Sequence, residues 1–177
     1  RSRCGRSARN ERPPGAWSQP LKAWLGLGSN VGDRLANLRS ARAALARRGI
    51  AVTDSSAVYE TEAQDGAVGQ DDFLNACVRV DTGLAPGGLL AACKYIEVEL
   101  GRDPDAPRHA PRPIDIDLLL IDRGEHRSPE LRVPHPELMN RRFVLEPLLE
   151  LDPPHRQLLE AALAQVADQR VTRFGTL

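Results

Sequence analysis

Excess charge of either sign is missing from this chain: Lys and Arg together number 24, and so do Asp and Glu. A balanced total creates no global basic field, which excludes the broad electrostatic attraction that drives binding to nucleic acid or anionic membranes. Any anion site must therefore be local. Thiols are scarce too. Cys4, Cys77 and Cys93 are widely spaced and form no CxxC pair, which argues against a disulfide framework and a structural zinc site. Cys77 and Cys93 fall within apolar patterns and read as small core residues in a reducing, cytoplasmic compartment. No apolar run approaches the ~18 residues that a membrane span needs, so the chain reads as soluble. Positions 1–21 lack the apolar stretch of a secretion signal. They carry Arg1, Arg3, Arg6, Arg9 and Arg12 against the single acid Glu11, and are expected to be a disordered basic tail.

What is present suits one domain over 22–177. Hydrophobic residues make up 41% of the 177, enough for one core. Trp24 to Leu27 reads as a short strand that ends in the turn-rich Gly28-Ser29-Asn30-Val31-Gly32. From Asp33 to Arg48, Leu35, Leu38, Ala41 and Leu45 recur at helical spacing, and Gly49 is a suitable stop. Ile50 to Thr61 is rich in Val, Thr, Ser and Tyr without that period. Phe73 to Asp81 alternates, with Leu74, Ala76, Val78 and Val80 on one face, so these segments read as two strands. Pro86 opens a second helix with the stripe Leu89, Leu90, Cys93, Ile96 and Leu100, closed by Gly101. A fourth strand follows Pro113. The order β-α-β-β-α-β, with no internal repeat, predicts an α+β fold with a ferredoxin-like core, an antiparallel sheet flanked by helices. Helical segments near 143–150 and 157–165 would form a C-terminal extension.

The fourth strand carries the most informative residues. Within Ile114-Asp115-Ile116-Asp117-Leu118-Leu119-Leu120-Ile121, side chains alternate faces. Ile114, Ile116, Leu118 and Leu120 can then enter a core while Asp115 and Asp117 share the opposite face. Two like charges about 7 Å apart on a half-buried strand are unfavourable unless a cation sits between them. Arg108 and Arg112 could serve, and so could a divalent metal. Oxygen ligands without thiolate or histidine favour magnesium over zinc, and nearby arginines suit a phosphate chain bridging both. The plainer alternative is a solvent-facing edge strand whose acids arginine neutralises.

Other motifs are weaker alone. Gly26-Leu27-Gly28-Ser29-Asn30-Val31-Gly32 is not a dinucleotide fingerprint, because its third glycine comes one place too late for GxGxxG, and no Gly-Lys-Ser/Thr makes it a P-loop. It reads as a tight turn before a helix. Phe73 and Asn75 fall opposite the core set of their strand, where a ring and a carboxamide could stack on and hydrogen-bond a flat heterocycle. Glu97 lies at the edge of its helix stripe, with Arg102 just past the end. His135 sits between two prolines, with Asn140-Arg141-Arg142-Phe143 close behind, a combination suited to phosphate and ring contacts.

Taken together, Leu27-Gly28-Ser29-Asn30, Tyr59-Glu60-Thr61, Phe73-Leu74-Asn75-Ala76, Ile96-Glu97, Gly101-Arg102, Arg108 to Leu119, Val133-Pro134-His135 and Asn140 to Phe143 resemble the 6-hydroxymethyl-7,8-dihydropterin pyrophosphokinases of folate biosynthesis over roughly 24–153. The Arg-x-Ala-Pro-Arg-x-x-Asp-Ile-Asp-Leu-Leu segment fits that signature throughout. The resemblance implies pyrophosphoryl transfer from ATP to the pterin hydroxymethyl oxygen, with AMP as leaving group and two magnesium ions. It implies that Asp115 and Asp117 hold both metals and that Arg102 and Arg112 neutralise charge on the moving group. Phe73 and Phe143 would sandwich the pterin, with Asn75 and the backbone around Thr61 reading its edge. Glu97, Arg108, His109, Leu118, His135 and Arg141 would line the nucleotide side. The chain departs from the family pattern at His109, where tryptophan is frequent, at Pro104, and at Glu62-Ala63. The loops 62–72 and 102–113 are expected to close over the substrates and exclude water. The expected partners are these small molecules alone, bound by a monomer. The rival reading is a ferredoxin-like nucleotide-binding or regulatory module without catalysis.

Overall fold

The computed structural model describes residues 19–62, 71–107 and 110–177. Most of the expected basic tail, most of the loop 62–72, and both Arg108 and His109 lie outside the described residues. The elements are β1 (Leu21–Ser29), α1 (Arg34–Arg47), β2 (Ala51–Ser55), β3 (Ala57–Thr61), β4 (Phe73–Thr82), α2 (Pro86–Glu99) and β5 (Asp115–Ile121). A hairpin of β6 (His126–Arg127) and β7 (Arg132–Val133) follows, then a 3-10 turn (Leu138–Asn140), α3 (Arg142–Leu149), α4 (Arg156–Gln165) and β8 (Val171–Thr176). None of the described helices is long and apolar enough to cross a membrane.

Local chemistry sets the helix ends. The Asp33 carboxylate accepts from the Ala36 N–H at 3.0 Å and caps α1. Gly49 and Gly101, at φ +73° and +94°, follow α1 and α2 in the left-handed conformation that only glycine adopts without strain.

The sheet runs β5-β1-β4-β3-β8, antiparallel throughout, with β2 also on β4. Each helix carries the chain past one neighbour to the next free edge, which is the expected ferredoxin-like arrangement. Three details differ from the sequence reading. The expected strand Ile50–Thr61 breaks at Ser56, whose hydroxyl accepts from the Cys77 N–H at 2.9 Å; both halves still pair with β4. The first strand starts earlier than expected, because Leu21 pairs with Thr82 and is only 1% exposed. The edge strand β8 was not foreseen, since Val171-Thr-Arg-Phe-Gly-Thr has little apolar alternation and is held mainly by backbone pairing to β3.

One face of the sheet packs against α1 and α2. Leu25, Leu27, Leu74, Val78, Ile116 and Leu118 meet Leu38, Leu45, Leu89 and Ile96 in the main core. The other face is divided. Trp24, Leu119 and Leu120 pack under α3 and α4 with Leu145, Leu148 and Leu159, and the Trp24 indole donates to the Leu151 carbonyl at 3.1 Å. The remainder of that face is the floor of a cavity. Leu120 was expected beside Leu118 in the main core. A bulge in the β1–β5 pairing, where Leu25 opposes Leu118 and Trp24 opposes Leu120, places Leu119 and Leu120 together on the second face.

Candidate active site

The cavity encloses about 510 Å³, and three neighbouring strands make its floor. Register lines up Asp115, Gly28 and Asn75 across β5, β1 and β4, and beside them Asp117, Gly26 and Cys77. The central strand therefore offers no side chain between the carboxylates and the carboxamide. A Cβ at Gly28 would crowd the site: it would lie 3.2 Å from the Asn75 carboxamide oxygen, which would have to give way slightly, and 3.7 Å from the Phe73 ring. The sequence places Gly26 in the first strand and Gly28 in the turn that ends it. Both are strand residues, and the space they leave is the floor itself.

Asp115 is surrounded by positive charge. Arg102 forms an ion pair with it, Arg112 Nε lies 3.4 Å away and Lys94 Nζ 4.0 Å away. Burial pushes the Asp115 carboxyl up, but Arg112, Arg102 and Lys94 outweigh it and hold the group below the ordinary aspartate range. Asp117 stands in the opposite condition. Burial and then the Asp115 charge push its carboxyl up, and Lys94, His135 and Arg141 offset only part of that. Among the described residues no cation comes within salt-bridge distance of Asp117. Two carboxylates on one face of the strand thus differ in kind: one is ion-paired, the other, among the described residues, is not.

Glu97 was expected on the nucleotide side. It lies behind the floor instead, 1% exposed, because its position on α2 faces β5. Its carboxylate accepts from the Ile116 N–H at 2.6 Å and pairs with Lys94 and Arg102 at 2.8 Å each. Burial raises its pKa, with Lys94 opposing. Leu118 was also expected on the nucleotide side, yet its side chain is in the main core, and Leu119, which shares the face of Asp115 and Asp117 by alternation, lines the cavity.

The other predicted residues converge. Thr61, Phe73, Asn75, Arg102, Arg112, His135, Arg141 and Phe143 all line the cavity with the two aspartates. The Asn75 amide donates to Thr61 Oγ1 at 2.8 Å, which fixes its orientation. The rings of Phe73 and Phe143 come from β4 and α3, and each has an arginine at its side: Arg112 and Arg141, both with the guanidinium 5.8 Å from the ring centroid. Arg112 is pinned to the end of β1, since its N–H donates to Asn30 Oδ1 at 2.8 Å and its carbonyl accepts from the Asn30 N–H at 3.2 Å. The His135 N–H donates to the Leu119 carbonyl at 3.0 Å, and its Nδ1 accepts from the Glu137 N–H at 3.2 Å. Nε2 is then the ring nitrogen left to donate. Arg142, next in the chain, turns away and bonds the Ala167 and Gln169 carbonyls.

Lys94 lines the cavity too, and its sequence pattern does not single it out. A lysine three residues before a glutamate on a helix flank has the pattern of an ordinary solvated pair. Only the packing of α2 against β5 brings it to the cavity.

Comparison with known proteins agrees with this arrangement. The family model described as 7,8-dihydro-6-hydroxymethylpterin-pyrophosphokinase (HPPK) matches residues 24–153. The chain is 46% identical over 133 residues to the 2-amino-4-hydroxy-6-hydroxymethyldihydropteridine pyrophosphokinase of Methylorubrum extorquens, covering 75% of this chain and 83% of that one. Its identity to the protein of the same name from Bacillus subtilis is 40% over 152 residues, 85% of this chain and 88% of that one. It is also 46% identical over 134 residues to the mitochondrial folate synthesis bifunctional protein of Pisum sativum, of which it spans 26%. A crystal structure of an HPPK-DHPS protein in complex with substrates shares the fold, with a TM-score of 0.65 at 13% identity over 85% of this chain and 44% of the other. With Asp115, Asp117, Asn75 and the two phenylalanines gathered in one cavity, the chain belongs to the 7,8-dihydro-6-hydroxymethylpterin-pyrophosphokinase family.

Proposed function

We propose that this chain transfers the pyrophosphoryl group of ATP to the hydroxymethyl oxygen of 6-hydroxymethyl-7,8-dihydropterin, releasing AMP, in folate synthesis. The observation that carries the reading is the floor: two carboxylates and a carboxamide with an aromatic ring, separated by a glycine strand. The line from Asp115 to Asn75 spans two strand spacings, roughly 10 Å, a reach suited to a diphosphate joined to a small ring system.

The donor set suits magnesium. Asp115 and Asp117 offer only carboxylate oxygens at their face of β5, and among the described residues no cation lies within salt-bridge distance of Asp117. These two residues would hold two magnesium ions, which supply neutralisation of the triphosphate when bound. Phe73 and Phe143 clamp the pterin ring while Asn75, oriented by Thr61, reads its edge. His135 and Arg141 bind on the nucleotide side. Arg102 and Arg112 stabilise the charge that builds as the hydroxymethyl oxygen bonds to the β-phosphorus and the bond from that phosphorus to the α-phosphate oxygen breaks. The electron pair leaves with AMP and the hydroxyl proton goes to solvent. Positioning and charge stabilisation suffice for a loose phosphoryl transition state, so no dedicated base is required. A cytoplasmic monomer acting on small molecules is the simplest setting for this chemistry.

The test is AMP formation from ATP and magnesium with and without 6-hydroxymethyl-7,8-dihydropterin, in the native chain and in Asp117→Asn. Pterin-dependent AMP lost in the variant supports both the reaction and its metal site. Well-folded native protein that makes no AMP would overturn the reading.

A further inference from the structure

Glu97 holds more positive charge than one carboxylate needs. Its Oε1 takes Lys94 Nζ at 2.8 Å together with the Ile116 N–H, and its Oε2 faces Arg102 Nη1 at 2.8 Å. Arg102 also pairs with Asp115 through the same nitrogen, and its backbone N–H donates to the Glu97 carbonyl at 2.9 Å. Lys94 is anchored in the cluster separately, 3.4 Å from the Ile116 carbonyl. Its side chain, 46% exposed, is the most open of the four charged groups and lines the cavity.

A buried carboxylate deprived of its last counter-ion is strongly unfavourable. If Arg102 were the sole cation on Glu97, drawing it toward a phosphate would strand that charge beneath the floor. Resting on the phosphotransfer reading above, we propose that Lys94 is a positioning residue that keeps Glu97 neutralised, so that Arg102 is free to turn from Glu97 and Asp115 onto the phosphate chain. Lys94 acts through Glu97 and Arg102 and touches no reacting atom. Glu97 in turn locks β5 through Ile116, so its charge has to stay compensated throughout the cycle.

The test is a charge-deletion cycle. Lys94→Met, nearly isosteric and neutral, tethers Arg102 to Glu97 and is expected to lower kcat roughly tenfold, less than the about 10²–10³-fold expected for losing a pre-organised donor outright, with the KM for ATP nearly unchanged. Lys94→Arg retains the charge and restores kcat. In a Glu97→Gln background Arg102 is no longer held there, so adding Lys94→Met changes kcat less than twofold. A rise in the KM for ATP at constant kcat would show Lys94 to be a direct nucleotide contact and would overturn the proposal, as would an equal loss of kcat in both backgrounds. A second readout does not depend on turnover. The Arg102 Nε–Hε resonance should shift when a non-hydrolysable ATP analogue and magnesium are added to native protein, remain in place in Lys94→Met, and shift again in the double variant. Identical shifts in native protein and Lys94→Met would overturn it. Absence of pterin-dependent AMP from native protein would instead sink the phosphotransfer reading, while the resonance would still report whether Arg102 is released.

Discussion

Under α1 and α2 the sheet presents leucine, isoleucine, valine and alanine; on the other face the same strands present two aspartates, an asparagine, two glycines and an aromatic ring. The first face is filled by interchangeable apolar volume, and its residues answer to packing alone. The second is half filled by α3 and half left as a cavity, where a missing side chain at Gly28 matters as much as a present one at Asn75. It also tolerates a carboxylate, Asp117, that has no cation within salt-bridge distance among the described residues. Alternation along a strand lets one segment meet both demands at every second residue.

Substitutions can separate the two faces. The largest effect is expected from Asp117→Asn, which removes one of the two proposed magnesium ligands: pterin-dependent AMP formation should fall on the order of 10³-fold or more, while thermal stability holds or rises slightly because a buried like charge is gone. Next, Leu38→Ala under α1 opens the fully buried core and should cost about 2–5 kcal/mol in denaturant unfolding. AMP formation per folded molecule should be unchanged; a matching loss of turnover would show that the faces are not independent. Gly28→Ala, smaller again, forces the Asn75 carboxamide to give way and should raise the KM for the pterin on the order of tenfold, with the KM for ATP little altered. An unchanged pterin KM would remove the glycine strand from the argument.

The smallest expected effect concerns pH. The folded pKa of Asp117 is raised, so the folded protein favours its protonated form. Its contribution to stability is present at low pH and is lost as pH rises through that pKa. Asp115, lowered, contributes in the opposite sense and loses its contribution as pH falls. Melting temperature followed across the acid range should therefore rise toward neutrality less steeply in native protein than in Asp117→Asn. Magnesium affinity in the presence of an ATP analogue should weaken on the acid side as the pair takes up protons.

The main core was legible because it is periodic. Leu38, Ala41 and Leu45 on α1, and Leu74 to Val80 on β4, fell where a period of 3.6 or 2 placed them. The edge strand β8 was not legible, because backbone pairing rather than apolar alternation holds it. In the site, the aspartate pair and the Phe73/Asn75 face followed from alternation alone. Lys94 and the glycine floor did not, since neither carries a signal until α2 meets β5 and β1 enters the sheet between β4 and β5.

By itself the sequence determined the β-α-β-β-α-β order of the core elements, the face of β4 and the start of β5 that is polar, and the kinds of group available: oxygen ligands, arginines, a carboxamide and rings. These follow from covalent geometry and local periodicity. Tertiary structure alone decided that Asp115 is paired with cations while Asp117, among the described residues, has none within salt-bridge distance, that Glu97 lies beneath the floor with two cations upon it, and that a bulge turns Leu120 out of the main core to the second face. Those outcomes depend on which neighbours approach within a few ångströms, and Coulomb energy and burial act through that distance.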